Sequence, residues 1–189
     1  DEIKLVKETG AHVVHCPESN LKVASGFAPI AKLLQAGVNV AVGTDSAASN
    51  NDLDLFGEIR TASFAAKAIG ADPTHLPAAQ ALAMATIHGA KAIGLEKEIG
   101  SLEAGKAADL IAIDLSSFLT QPVYNPMSHL VYAISRLQVS DVWVAGKQLL
   151  KEGKFTQLDI EQVVAQTNQW ANKARPFSKN NTVTTTEKV

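Results

Sequence analysis

The chain has 189 residues, of which 46% are hydrophobic and 19% are charged, with 17 basic against 19 acidic side chains. A net charge of −2 argues against nucleic acid as a partner, and no apolar run approaches the ~20 residues that span a membrane. Cys16 is the only cysteine, which excludes a disulfide framework and suits a reducing compartment. We therefore expect a soluble, cytoplasmic globular chain that binds neither nucleic acid nor membranes.

Helices and strands alternate in the first part of the chain. The pattern predicts a helix that ends at Gly10, followed by a short buried strand over residues 11–16. A second helix ends at Gly37, and the β-branched segment 38–42 after it is typical of a central parallel strand. A polar loop over residues 43–51 comes next. This alternation is typical of an α/β sheet or barrel.

Two further helices are predicted before the character of the sequence changes. Asp52 can cap a long helix that ends at Gly70, and Pro77 begins another that continues to Ile93. The turn-rich segment 100–105 then leads towards β-type sequence. The α/β part is therefore expected to end near this segment.

The second part of the chain is predicted to form a small β layer and a final helix. Residues 108–155 contain short apolar segments, interrupted by an irregular stretch over 116–130. Asp159 can cap a helix whose apolar residues recur at helical spacing, and a polar tail follows. Three units are thus predicted, over residues 1–107, 108–155 and 156–189.

Polar side chains follow both predicted strands, where reactive groups gather in parallel sheets. Asp45 comes soon after segment 38–42, and the small residues behind it leave room for a substrate or a metal. An Asx turn or a helix cap is the competing role for this aspartate. His15 ends the other strand, and His12 lies on the opposite face, so the two cannot bind one metal together. A purely structural histidine is the competing interpretation of His15.

These residues alone do not complete a metal site. A catalytic zinc ion needs about three protein ligands, and the sequence contains neither H-x-H nor H-E-x-x-H. His75, His88 and His129 each lack a second ligand at useful spacing, so a packing or surface role is preferred. Cys16 is interpreted as a packing residue. The chain on this evidence contains part of a site.

Three segments together resemble the metal-dependent amidohydrolase superfamily. They are HCPESNLKVASG over residues 15–26, VGTDSAASNN over 42–51 and IGSLEAGKAADL over 99–110. Within the superfamily they are most similar to the branch that contains 5-methylthioadenosine/S-adenosylhomocysteine deaminases, triazine hydrolases and guanine deaminase. The resemblance covers about residues 1–160, in the order and spacing of the family.

The resemblance implies the carboxyl-terminal portion of a TIM (β/α)8 barrel plus part of a β-sandwich formed by the chain ends. Residues 1–107 would be the last barrel strands and helices, 108–155 the returning sandwich strands, and 156–189 a C-terminal helix and polar tail. The remaining metal ligands would lie upstream of Asp1. The upstream half of the same protein is therefore an expected partner, and a homo-oligomer is expected.

The resemblance also implies the chemistry. One divalent metal, Zn²⁺ with Fe²⁺ as the alternative, would lower the pKa of bound water. Asp45 would bind the metal and take the water proton, while His15, Ser46 and Ser49 would line the substrate pocket. Water would replace the amine of an adenosine-type substrate, such as 5-methylthioadenosine or S-adenosylhomocysteine, and release ammonia. The substrate would thus be a purine nucleoside or a related N-heterocycle.

Two alternatives to the adenosine-type deaminase remain. One is a triazine or guanine hydrolase of the same superfamily, with the same attack by water on a different ring. The other is a non-catalytic fragment that needs the upstream half. Half of a barrel would leave open sheet edges and apolar surface, so the chain is not expected to be stable alone.

Overall fold

The computed structural model describes residues 2–178, without the side chains of 176–178. The polar tail predicted beyond Pro176 lies, from residue 179 onward, outside the described residues. The helices are α1 (Glu2–Thr9), α2 (Pro17–Lys22), α3 (Ile30–Gln35), α4 (Leu55–Gly70), α5 (Ala78–Met84), α6 (Ile87–Ala92), α7 (Pro126–Tyr132) and α8 (Ile160–Ser178), with a 3-10 turn over Arg136–Gln138. The strands are β1 (Val13–His15), β2 (Val40–Val42), β3 (Leu110–Ile113), β4 (Val139–Val144), β5 (Lys147–Lys151) and β6 (Lys154–Phe155).

The first sheet is a parallel pair, β1 and β2, in which Val13 lies opposite Val40 and His15 lies opposite Val42. Helices α2 and α3 connect the two strands, as in a βαβ unit. Both strand predictions are confirmed, although each strand is only three residues long. The mixed α/β class is therefore confirmed.

The hydrophobic core lies between this sheet and the helices α3, α4 and α5. Ile59, Ala62 and Ala66 form the buried stripe of α4, as its period predicts. Val14 does not fit the predicted buried strand, because 58% of its surface is exposed on a face of β1 that the described helices do not cover. The sheet thus has one covered face and, at β1, one open face.

The long helix α4 begins two residues later than predicted. Asp54, not Asp52, is its N-cap, and the Asp54 side chain accepts a hydrogen bond from the backbone N–H of Phe56. Asp52 instead accepts a hydrogen bond from the N–H of Asp54 at 3.2 Å and so shapes the turn before the cap. Both aspartates suit an N-terminus, and only the backbone path selects one of them.

The helix predicted from Pro77 to Ile93 is two helices. Thr86 has φ −127° and ψ −99°, which end the helical path between α5 and α6. Helix α5 packs against α4 and α7, whereas α6 packs mainly against β2. One straight helix could not meet both surfaces. The sequence at this break contains no proline or glycine, so the prediction had no local signal for it.

The stretch 116–130, predicted to be irregular, contains most of α7. Asn125 caps this helix by accepting a hydrogen bond from the N–H of Ser128, and Pro126 occupies its first turn. Arg60 of α4 donates from Nε to the carbonyl oxygen of Val131 at 3.0 Å. The Asn125-Pro126 pair is a typical helix start, which the predicted irregular stretch does not take into account.

The second sheet is antiparallel, in the order β3-β4-β5-β6. The predicted turn at Ala145-Gly146 joins β4 to β5, and both residues have positive φ. Helix α8 follows, with Asp159 accepting a hydrogen bond from the N–H of Gln162, which confirms the predicted cap. Within residues 2–178 no helix combines the length and the apolar character that a membrane span requires.

We expect glycine to be required at position 70, because the ring of His75 occupies the space that a larger residue would need. A Cβ atom at this position would lie well inside van der Waals contact with the ring of His75. Gly70→Ala should lower the free energy of unfolding by about 1–3 kcal/mol, as overpacking does. In a His75→Ala background the same change should be neutral or stabilising, because alanine is the better helix residue. Chemical denaturation of the four proteins measures this coupling, and equal losses in both backgrounds would contradict it.

Candidate active site

The parallel pairing of β1 and β2 places the ends of both strands at one edge of the sheet. The N–H of Gly43 donates to the carbonyl oxygen of His15 at 2.9 Å and so extends the pairing by one residue. A Cβ at Gly43 would lie 3.1 Å from Cγ1 of Val14 and 3.5 Å from Sγ of Cys16, so glycine permits this close approach. The segments that follow His15 and Gly43 therefore leave the sheet side by side.

Asp45 lies at this edge with its carboxylate held by two hydroxyl groups. Ser19 in α2 donates to Oδ2 of Asp45 at 2.8 Å, and Ser49 donates to the same oxygen at 2.7 Å. Asp45 is exposed and has φ 62°, a left-handed conformation that aspartate tolerates better than most residues. Both hydroxyls thus contact the same oxygen of the carboxylate.

The surrounding donors favour the charged form of Asp45. The hydroxyl of Ser49, the hydroxyl of Ser19 and the backbone of Ser46 hold the pKa of the Asp45 carboxyl below its ordinary value, in that order of effect. At neutral pH the side chain is therefore a carboxylate, which accepts hydrogen bonds, protons or a cation and donates nothing.

The predicted pocket serines contribute differently. Ser49 contacts the Asp45 carboxylate through its hydroxyl, whereas the Ser46 carbonyl oxygen accepts hydrogen bonds from the N–H groups of Ser49 at 3.1 Å and Asn50 at 2.8 Å. Ser46 thus helps to form the turn that brings Ser49 to Asp45. Ser19 is a site residue that the sequence reasoning missed. Its position in the first helical turn after a strand end was the available signal.

His15 is buried on the side of the sheet that the helices cover. Only 6% of its surface is exposed, and with Pro17, Phe27, Ile30 and Ala66 it lines a small cavity between α2, α3 and α4. Burial lowers the pKa of the imidazole from its ordinary value to about 4. The ring is therefore neutral at physiological pH. A direct contact between His15 and a substrate stays a prediction.

The other candidate side chains have packing roles. His88 Nδ1 lies 3.1 Å from the carbonyl oxygen of Val40, and His129 Nε2 lies 2.9 Å from that of Thr120. His75 faces Asp72 at 3.6 Å. Burial, followed by the charges of nearby carboxylates, raises the pKa of the Cys16 thiol, which keeps it protonated and unreactive. These contacts agree with the packing roles expected from the sequence.

Asp45 has the chemistry of one metal ligand but not of a whole site. An exposed, ionised carboxylate at a strand end is an oxygen ligand that zinc accepts. Over residues 2–178 no group of three or more histidine, cysteine, aspartate or glutamate side chains could hold a metal ion. The described residues therefore fit a metal only as one side of a larger coordination sphere.

Comparison with known proteins identifies the family to which the chain is similar. The sequence model described as the Amidohydrolase family matches residues 1–149. A protein of Teredinibacter turnerae named 5-methylthioadenosine/S-adenosylhomocysteine deaminase is 53% identical over 173 residues, which cover 92% of this chain and 39% of that protein. The chain thus spans about two fifths of the length of this relative.

Solved structures show the same partial coverage. An adenosine deaminase from Xanthomonas campestris with bound zinc matches 93% of this chain and 40% of its own, with a TM-score of 0.91 and 51% identity. The atrazine chlorohydrolase of Arthrobacter aurescens, complexed with zinc, matches 89% of this chain and 37% of its own, with a TM-score of 0.82 and 32% identity. The fold of this chain is therefore that of a part of each structure.

The pKa of Asp45 should depend on its two hydroxyl donors. Replacing Ser19 and Ser49 together by alanine removes the side-chain hydrogen bonds that stabilise the carboxylate, so the pKa of Asp45 should rise. Carbon-detected NMR titration of selectively labelled aspartate in metal-free protein measures this value. Ser46→Ala is the matched control, because it keeps the backbone group of Ser46, and should leave the pKa unchanged. An unchanged pKa in the double alanine variant would contradict the assignment.

His15 should make stability depend on pH. Its pKa is about 4 in the folded protein and about 6.5 in an unfolded chain, so the unfolded state binds more protons between these values. The free energy of unfolding should therefore fall by up to about 1.4 kcal/mol per pH unit as the pH drops through this window. His15→Phe should remove this dependence, and His12→Gln, at an exposed position, should keep it. Denaturation at several pH values tests both.

Proposed function

The chain belongs to the amidohydrolase family, and on that premise we propose that the complete protein is a zinc-dependent deaminase of adenosine-type substrates. The complete protein here means this chain with whatever precedes and follows it on the same polypeptide. The observation that carries the proposal is 53% identity, over 92% of the chain, to a relative that is named for this activity. The substrate class is a 5′-thio-substituted adenosine such as 5-methylthioadenosine or S-adenosylhomocysteine.

Asp45 is the residue of this chain that we assign to metal binding and to proton transfer. Zinc, when bound, supplies a Lewis acid that makes water more acidic. The Asp45 carboxylate is ionised and exposed, so it can act as an oxygen ligand and accept a proton from water. Ser19 and Ser49 occupy Oδ2 and thereby fix the plane of the carboxylate. In the net reaction a C–O bond from water replaces the C–N bond, and ammonia leaves.

We propose that residues 1–107 are the last part of a TIM barrel and residues 108–155 part of a β-sandwich, followed by the terminal unit 156–189. A parallel pair of three-residue strands is too small to be a stable sheet, and the exposed Val14 face of β1 needs a cover. Further parallel strands of the same polypeptide would supply that cover together with the missing metal ligands. The antiparallel order β3-β4-β5-β6 suits a sandwich layer.

Several finer properties belong to the same proposal. We propose zinc rather than iron, since the similar adenosine deaminase and atrazine chlorohydrolase structures hold zinc. His15 and Ser46 stay proposed pocket residues next to Ser49. A homo-oligomeric protein in the cytoplasm, with a small N-heterocyclic substrate, completes the expected description.

Asp45→Asn in the complete protein should lower ammonia release by about 10²–10⁴-fold, because the amide cannot accept the proton and is a poorer ligand. Zinc retention during dialysis against a chelator should weaken as well. Asp72→Asn is the matched control, because Asp72 is a partly exposed aspartate whose pKa a hydroxyl, that of Thr74, also holds low. Both variants are assayed for ammonia and for bound zinc. Wild-type turnover by the Asp45 variant would exclude Asp45 from the chemistry.

The substrate class is tested with a panel of ring systems. Methylthioadenosine, S-adenosylhomocysteine, guanine and a chlorotriazine are assayed side by side with the complete protein under one set of conditions. The proposal expects the highest kcat/KM for one of the two thio-substituted adenosines. A higher kcat/KM for guanine or for the chlorotriazine would assign the protein a different activity of the same family. No turnover of any substrate would favour a non-catalytic relative.

A further inference from the structure

A buried carboxylate lies behind the site and has no part in the proposed chemistry. Glu58, in the first turn of α4, has 0% of its surface exposed. A buried carboxylate is unfavourable unless hydrogen bonds compensate for the lost water. Burial, the largest effect, raises the pKa of Glu58. The neighbouring buried residues of α4, Ile59 and Ala62, are apolar. The contacts of Glu58 must therefore compensate for its burial.

Both oxygens of Glu58 accept hydrogen bonds from segments that reach the Asp45 site. Oε2 accepts from the backbone N–H of Glu18 at 3.1 Å, and Oε1 accepts from Nδ2 of Asn50. Glu18 is the neighbour of Ser19, and Asn50 is the neighbour of Ser49. Each partner of Glu58 is therefore one residue away from a hydroxyl that binds Asp45.

The contact with Asn50 extends through the loop after Asp45. Asn50 is 4% exposed, and its Oδ1 accepts from the N–H of Leu53 at 3.1 Å. Leu53 has φ 51°, a left-handed conformation that a leucine adopts only when its surroundings hold it. The amide of Asn50 thus joins Glu58 on one side to the strained end of the loop on the other.

The contact with Glu18 fixes α2 in the same way. The Glu18 side chain lies against α4, where Oε1 accepts from Oγ1 of Thr61 at 2.9 Å. A Cβ at Gly57 would lie 2.9 Å from the same Oε1, so glycine leaves room for Glu18. Helix α2, which carries Ser19, is therefore attached to α4 by its backbone through Glu58 and by a side chain through Thr61.

We propose that Glu58 is a positioning residue for Asp45. By binding the backbone of Glu18 and the side chain of Asn50, Glu58 holds Ser19 and Ser49 at the Asp45 carboxylate. Glu58 acts on Asp45 through these partners and is not a catalytic residue. The effect on zinc affinity rests on the function proposed above, whereas the effect on the position of the two serines does not.

Reciprocal exchange of acid and amide tests the proposal. Glu58→Gln places an amide NH₂ group where two N–H donors already converge, so one contact must be lost. Asn50→Asp alone opposes two carboxylates. The double variant, E58Q with N50D, restores one donor and one acceptor with the direction of the bond reversed, and the carboxylate introduced by N50D can still accept from the N–H of Leu53. Glu8→Gln, at an exposed residue of α1, is the matched control for loss of a glutamate charge.

The primary measurement is the crystal structure of each variant of the complete protein. In E58Q we expect at least one of the Ser19 and Ser49 hydroxyls to lie beyond about 3.5 Å from Asp45, and in the double variant both contacts should return. Zinc affinity, measured by chelator competition, should fall about 10–100-fold in E58Q, as for other residues that orient metal ligands, and should recover in the double variant. The Glu8 control should match the wild type.

The outcomes separate this inference from the proposed function. Intact serine contacts and unchanged zinc affinity in E58Q would overturn it, and so would their loss without recovery in the double variant. If E58Q does not fold, a folded double variant with both contacts supports it, and an unfolded double variant overturns it. A wild-type protein that binds no zinc or releases no ammonia would refute the proposed function, while the serine positions would still decide the role of Glu58.

Discussion

The parallel pairing of β1 with β2 is the constraint on which the rest of the site depends. Because Val42 lies opposite His15, the segments that follow β1 and β2 leave the sheet at one edge and in the same direction. Ser19 can then reach Asp45 across 26 residues of sequence. A shift of the register by one residue would turn Val14 towards the helices and His15 towards the open face, since side chains alternate along a strand. The register thus determines which side chains can take part in chemistry.

Buried polar contacts convert this edge into a defined site. An exposed carboxylate in water has no fixed orientation, but Ser19 and Ser49 hold Oδ2 of Asp45 from two sides. Those hydroxyls are themselves placed by α2 and by the loop after Asp45, and both segments meet at the buried Glu58. Removal of one partner in such a network leaves the other buried without compensation, so the contacts depend on one another.

The open face of β1 and the lone ligand-type carboxylate of Asp45 both fit the proposed barrel. The chain spans 39% of the length of a relative of 53% identity, and 40% of an adenosine deaminase structure that holds zinc. A barrel of that kind would share its interior and its metal among several strands, so a part of it would leave Val14 exposed and would hold, over residues 2–178, no complete set of metal ligands.

Local sequence was enough to predict the mixed α/β class and the two parallel strands, and it placed Asp45 just behind the second of them. These depend on local period and on motifs, and both are properties of neighbouring residues. It also predicted the caps and turns at Asp159 and Ala145-Gly146. Four further features follow from tertiary packing: the break at Thr86, the choice of Asp54 as a cap, the burial of His15 and the contact of Ser19 with Asp45. Those features depend on contacts between residues that are distant in sequence, and local sequence patterns do not predict such contacts.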